Sequence, residues 1–215
     1  MLDLAASPVE VAPQLLGAYI DVAGVRVRLT EVEAYCGKVD PGSHAFRGRT
    51  ERNNSLYLAP GHAYVYFTYG MHYCLNLVAW PEGTAGGVLL RAGEVVEGLE
   101  IARQRRPGVI RDRELARGPA NLVRCLGIDH SADGSPITLD GVLFDDAAAP
   151  DDVVVAVTSR EGPAPGTIRS GGRVGVSGIG GDGQAFPWRY WIDGDPTVSA
   201  YRRAAPPRRR SAKRS

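Results

Sequence analysis

The run "VRVRLTEVEAY", residues 25 to 35, constrains the fold of this chain more than any other stretch. It alternates apolar and polar side chains with period two, which reads as a β-strand with Val25, Val27 and Leu29 on its core face. Carried on unbroken, the same parity sends Glu31, Glu33 and Tyr35 to the apolar side. Carboxylates are unusual there, and such a group is either paired structurally or kept for acid/base chemistry. The pattern alone leaves both readings open.

A second stretch, "AYVYFTYGMHY" at 63 to 73, holds Tyr64, Tyr66, Tyr69 and Tyr73, four of the nine tyrosines, with Phe67 among them. As a strand stopped by Gly70 it points Tyr64 and Tyr66 one way and Phe67 and Tyr69 the other. A two-sided core strand filled with aromatics accounts for this as it stands. Tyr69, immediately before the glycine, is placed to project from an exposed turn.

Around these two strands the chain gives a coarse order of elements. "VEVAPQLLGAYI" reads as an entry helix or turn before Gly17, and residues 37 to 54, with Arg47, Arg49 and Arg52, as a long loop. "GGVLLRA" gives a short strand from Val88 to Arg91. "GLEIARQRR" and "GPANLVRCLGI" read as helices, the second with Pro119 at its start and Gly127 as its stop. "VVVAV", "RVGVS" and "WRYWI" are strand-like. Strands grouped with turns and only two or three helices favour a single α+β domain over residues 1–200 rather than a parallel α/β sheet.

Composition sets the outer limits. With 215 residues and 44% hydrophobic content the chain is able to bury a proper core. Leu2 to Ala5 lacks a basic flank or a long apolar run, so export and membrane insertion are not expected and a cytoplasmic, soluble protein is. Cys36, Cys74 and Cys125 are odd in number and without a C-x-x-C pair, against a disulfide framework or a zinc site. Residues 201–215 carry seven basic and no acidic side chains, leaving 18 basic against 24 acidic in residues 1–200. That Pro- and Arg-rich tail reads as disordered and as seeking a polyanion. Basic loops beside planar aromatics suggest stacked bases, at roughly 1–3 kcal/mol per base.

Two tempting motifs fail on context. "GIGGDG" at 178 to 183 matches G-x-G-x-x-G but leads into "QAFPWRYW", where no helix follows, so it reads as a turn. The H-x-E and P-C-x-x-C pattern of zinc base deaminases is missing.

Taken together and in order, "EVEAY", "SHAFRGRTERN", "YVYFTYGMHYCLN", "VLLRA", "DRELARGPANL" and "RVGVS" resemble the alkyladenine, or 3-methyladenine, DNA glycosylase family over roughly residues 10 to 200. The resemblance implies a monomeric base-excision-repair enzyme that flips a damaged purine from double-stranded DNA and hydrolyses its bond to deoxyribose, without metal or organic cofactor. It implies a compact fold with a curved antiparallel sheet and no helix-hairpin-helix element. Glu33 then matches the carboxylate that activates water, and Arg91 the arginine beside it. Tyr35, His44 and Tyr66 match the base pocket, Asn76 a residue that crowds the exocyclic amine of guanine, and Tyr69 the wedge that enters the DNA stack. Tyr64 and Phe67 are read as packing.

Two other classes compete. A noncatalytic binder of damaged DNA needs the tyrosines and arginines but not Glu33. A carbohydrate glycosidase using Glu31 and Glu33 as its pair is disfavoured, because residues two apart on one strand lie side by side and not across a substrate.

Overall fold

A computed structural model describes residues 2–68, 70–144, 154–163 and 165–204. Pro8 at the first helical position opens helix α1 (Pro8–Leu15), which buries Val11, Ala12 and Leu15. Strands β1 (Tyr19–Val22) and β2 (Val25–Tyr35) form a hairpin, and β3 (Ala63–Thr68), β4 (His72–Val78) and β5 (Gly87–Glu97) a meander. Helix α2 (Leu99–Arg105) follows, then α3 (Pro119–Leu126), closed by Gly127 at φ +76°. Short strands β6 (Ile137–Leu139), β7 (Val142–Leu143), β8 (Val155–Thr158), β9 (Ile168–Gly171) and β10 (Arg189–Ile192) complete the sheet.

The strand order is β3-β4-β5-β2-β1-β8-β6-β7, with β10 and β9 branching from β2. Every pairing among the described residues is antiparallel except β6 with β8. The result is a single compact α+β domain whose sheet curls strongly into a half-barrel, with the helices flanking it, as the sequence led us to expect.

Strand β2 spans the predicted residues but changes its neighbours and its phase along the way. Residues 25–28 pair with β1, whereas Glu31, Val32 and Glu33 pair with β10. Its register with β5 slips on both sides of Glu31, passing over Thr30 on β2 and then Arg91 on β5. The core therefore takes Val25, Val27 and Leu29 before the slip but Val32 and Ala34 after it. This corrects the parity argument: Glu31, Glu33 and Tyr35 lie on the face opposite the oil. One extra residue in a strand reverses every side chain beyond it.

Other expectations are revised locally. The loop from 37 to 54 contains a 3-10 turn at Gly37–Val39 and leads into a 3-10 segment at Glu51–Tyr57. β5 runs for 11 residues, not the four read from "VLLR". "RVGVS" is not a strand but a turn after β9. "GIGGDG" holds a 3-10 turn whose Gly180 packs so close to Gly42 that a Cβ would collide with its backbone. The basic tail lies outside the described residues from 205 onward.

Candidate active site

The two β2 carboxylates are fully buried and differ in what holds them. Glu33 Oε2 accepts a hydrogen bond from the Tyr35 hydroxyl at 2.8 Å and lies 3.2 Å from an Arg91 terminal nitrogen. Its Oε1 accepts from the Val174 backbone N–H at 2.7 Å. Glu31 is tied more heavily. Its Oε1 accepts from Arg91 Nε at 2.8 Å, Arg189 Nε at 2.7 Å and Ser199 Oγ at 3.0 Å, and its Oε2 accepts from Ser199 N at 2.8 Å.

Arg91 thus bridges two carboxylates from β5. It is the residue passed over where the β2–β5 register slips, so its side chain enters the polar layer and not the core. Burial alone would push the Glu31 carboxyl up, yet Arg91, Arg189 and Ser199 together hold it below its ordinary value. Burial likewise disfavours the charged guanidinium of Arg91, and Glu33 and Glu31 more than offset this. The four formal charges sum to zero, which lets them share an interior where an unpaired ion costs several kcal/mol.

A second ion pair braces the first. Arg173, 1% exposed, donates to both oxygens of Asp40 at 2.6 Å and to the carbonyls of Ala34 and Gly180. Its guanidinium lies 4.5 Å from the centre of the Tyr35 ring and near Trp188. Val174, next in the chain, supplies the N–H to Glu33. Tyr35 keeps its proton firmly, because burial and then the adjacent Glu33 raise its pKa well above the ordinary value.

Above this floor opens a cavity of about 420 Å³, large enough for a purine. Tyr64 and Tyr66 line it together, their centroids 5.3 Å apart, as residues of one face of β3 should. His44 stands at the mouth. One edge is open to solvent, while its Nδ1 lies 3.0 Å from the Tyr64 hydroxyl and its ring meets Tyr66 edge-on at 4.4 Å. Burial of that packed side, and then Arg52, lowers its pKa, so the imidazole is neutral at neutral pH. Asn76 donates to the Tyr64 carbonyl at 3.1 Å, which fixes its amide against the wall.

Of the residues singled out in the sequence, Tyr35, His44, Tyr66, Asn76 and Arg91 line this one cavity. Glu33 does not line it but sits directly behind Tyr35, Arg91 and Val174, all of which do. Tyr69 lies outside the described residues; Thr68 and His72, the end residues of β3 and β4, line the cavity. Phe67 is 46% exposed beside Tyr73 and belongs to the outer surface, not to a core. Tyr64, read as packing, is 1% exposed and packs in a small core cluster with Leu56, Tyr57 and Val78, and from there it also edges the cavity beside Tyr66. Glu31, Asp40, Arg173 and Arg189 were not singled out as a set, because their partners are far away in the chain. Among the described residues no group of three His, Cys, Asp or Glu side chains is arranged to hold a metal, and no helix is long and apolar enough to cross a membrane.

The chain from residue 3 to 196 matches the family model for methylpurine-DNA glycosylase. It is 50% identical over 206 residues to a protein of Streptomyces avermitilis, covering 94% of this chain and 91% of that one. A protein of Leifsonia xyli subsp. xyli is 49% identical over 207 residues, covering 92% and 90% of the two chains. One from Cutibacterium acnes is 46% identical over 204 residues, covering 94% and 100%. All three carry the provisional name 3-methyladenine DNA glycosylase. A match of this length and identity, carried on a fold that gathers the quoted motifs around one cavity, makes the chain a member of the methylpurine-DNA glycosylase family.

Proposed function

We propose that this protein flips alkylated purines of the 3-methyladenine type out of duplex DNA and hydrolyses the N-glycosidic bond with a water activated by Glu33. The observation that carries the reading is a buried carboxylate and a buried arginine meeting at the floor of a purine-sized cavity walled by Tyr35, Tyr64 and Tyr66. An alkylated purine is cationic, so the tyrosine faces attract it more than a normal base, and the neutral His44 adds no repulsion. Its electron-withdrawing charge also weakens the bond to the sugar. As that bond breaks, its electron pair leaves with the purine and positive charge grows on the sugar. Water adds to the anomeric carbon, and its proton passes to Glu33, whose charge also stabilises the transition state. Asn76 crowds the exocyclic amine of guanine, and Tyr69 fills the gap in the DNA stack.

Glu33→Gln is expected to abolish base release, by a factor of about 10² or more, while lesion-duplex affinity stays near the parent's. Single-turnover excision and equilibrium binding on the same duplex test this. Excision near the parent rate removes Glu33 from its role, and a parent protein that binds without releasing base turns the reading to a noncatalytic damage binder. The product is an intact abasic site. A strand-cleaving glycosylase needs an amine to attack the sugar, and Lys38 is exposed and not part of the cavity lining. Borohydride added to the same reaction should therefore trap no covalent adduct, and an adduct lost in Lys38→Ala would replace water by an amine.

A further inference from the structure

We infer that Glu31 and Arg189 form a positioning pair that sets the basicity of Glu33 by controlling how much of Arg91 it receives. The inference rests on the role of Glu33 proposed above. Arg91 has two carboxylates to serve, and the geometry divides it unequally. Its Nε donates to Glu31 at 2.8 Å, while the contact to Glu33 is a single, longer one of 3.2 Å. A bidentate pair on Glu33 would make that carboxylate a poor base, since an arginine held in both forks strongly favours the ionised form. Glu31 takes the arginine away from that arrangement. Arg189 in turn limits Glu31, occupying the same Oε1 at 2.7 Å, while Ser199 anchors Glu31 with its N–H and hydroxyl.

The other groups near Glu33 define what else acts on its proton affinity. Tyr35 donates to it from β2 and Val174 N–H from the turn after β9. Arg173 on that turn, Tyr66 on β3 and Cys74 on β4 interact with it electrostatically. No hydrogen bond or ion pair joins any of these groups to Glu31 or Arg189, although Arg189 lies directly across from Glu33 in the β2–β10 ladder.

The signs of two substitutions then oppose one another. Glu31→Gln removes a negative charge close to Glu33 and releases Arg91 toward it, and both changes weaken Glu33 as a base. Arg189→Gln removes a positive charge and leaves Glu31 free to hold Arg91 more tightly, and both changes strengthen it. Single-turnover excision is measured against pH on duplex carrying a lesion that does not itself titrate over the range. Glu31→Gln should move the acid limb down by about one pH unit and lower the plateau about tenfold, and Arg189→Gln should move the limb up. The charge-balanced double variant should fall between them. Lesion affinity should change little in any of the three.

Circular dichroism and thermal melts establish which variants fold, and should Glu31→Gln fail, Arg189→Gln decides by the sign of its shift. Limbs that stay in place, or that move the same way in both singles, overturn the inference. If Glu33→Gln itself excises normally, the fault lies with the proposed mechanism; if Glu33→Gln is dead and the limbs do not separate, only the positioning pair is lost.

Discussion

The floor of the cavity and its rim are built on opposite principles. On the floor Glu31, Glu33, Arg91, Arg173 and Arg189 are each no more than 5% exposed, and the charged groups are matched by partners from β2, β5, β10 and the turn after β9. Beside the rim, the end of β3 and the approach to β4 present Phe67 and Met71 at 46% and 69% exposure, with Gly70 in the left-handed region at φ +66°. Chemistry needs groups fixed in one arrangement. A surface proposed to meet DNA gains from side chains with few neighbours to offend. The difference teaches that damage to the floor should be felt as lost folding or lost rate, and damage to the rim as lost capture.

The harshest way to break that contrast is Arg173→Met. It leaves Asp40 buried without its partner and should cost about 3–5 kcal/mol of stability. Urea titration reads this directly, and a loss below about 1 kcal/mol would mean the floor is not held by its ion pairs. Tyr69→Ala should leave stability intact and weaken capture of the extrahelical base by a few kcal/mol at most, with a smaller loss on a bulged lesion that is already unpaired. Equal losses on paired and bulged duplexes count against a wedge. Deleting residues 202–215 should have the mildest effect. Affinity for any duplex falls and its salt dependence flattens, by about 0.9 in the log-log slope for each phosphate that the tail had neutralised, with lesion preference unchanged. Identical slopes with and without the tail would show that the basic segment neutralises no phosphate.

Much of the cavity was legible because its walls come from short motifs. "EVEAY", "YVYF" and "VLLRA" each place one or two of the lining residues, and period-two spacing puts Tyr64 and Tyr66 on one face. What was not legible depends on contacts between distant segments. Asp40 and Arg173 are 133 residues apart, and Glu31 and Ser199 are 168 apart. Nothing local in "VSAY" marks Ser199 as an anchor for a buried carboxylate. The β4 strand went unread because Asn76 is buried against the rule that polar residues mark the outside, and the continuation of β5 beyond Arg91 because it carries Gly93 and the exposed Glu94 and Glu97. The register slip in β2 was the most consequential signal missed, since the sequence marks it: Thr30 and Glu31 are consecutive polar residues, and the apolar positions pass from Val25, Val27 and Leu29 to Val32 and Ala34.

That slip gives the strand a counting rule. Thr30, fully buried and 2.8 Å from the Thr197 hydroxyl, is the residue by which β2 departs from a uniform ladder. Were Thr30 instead paired like its neighbours, with the bulge closed, both carboxylates would turn toward the hydrocarbon and Val32 and Ala34 away from it. A surface loop can gain a residue with only local consequences, but in this stretch one residue more is a change of everything downstream to the end of the strand. Variation among natural relatives should therefore accumulate here as substitutions and avoid single-residue insertions, much as coding sequence tolerates changed letters more readily than a shifted frame.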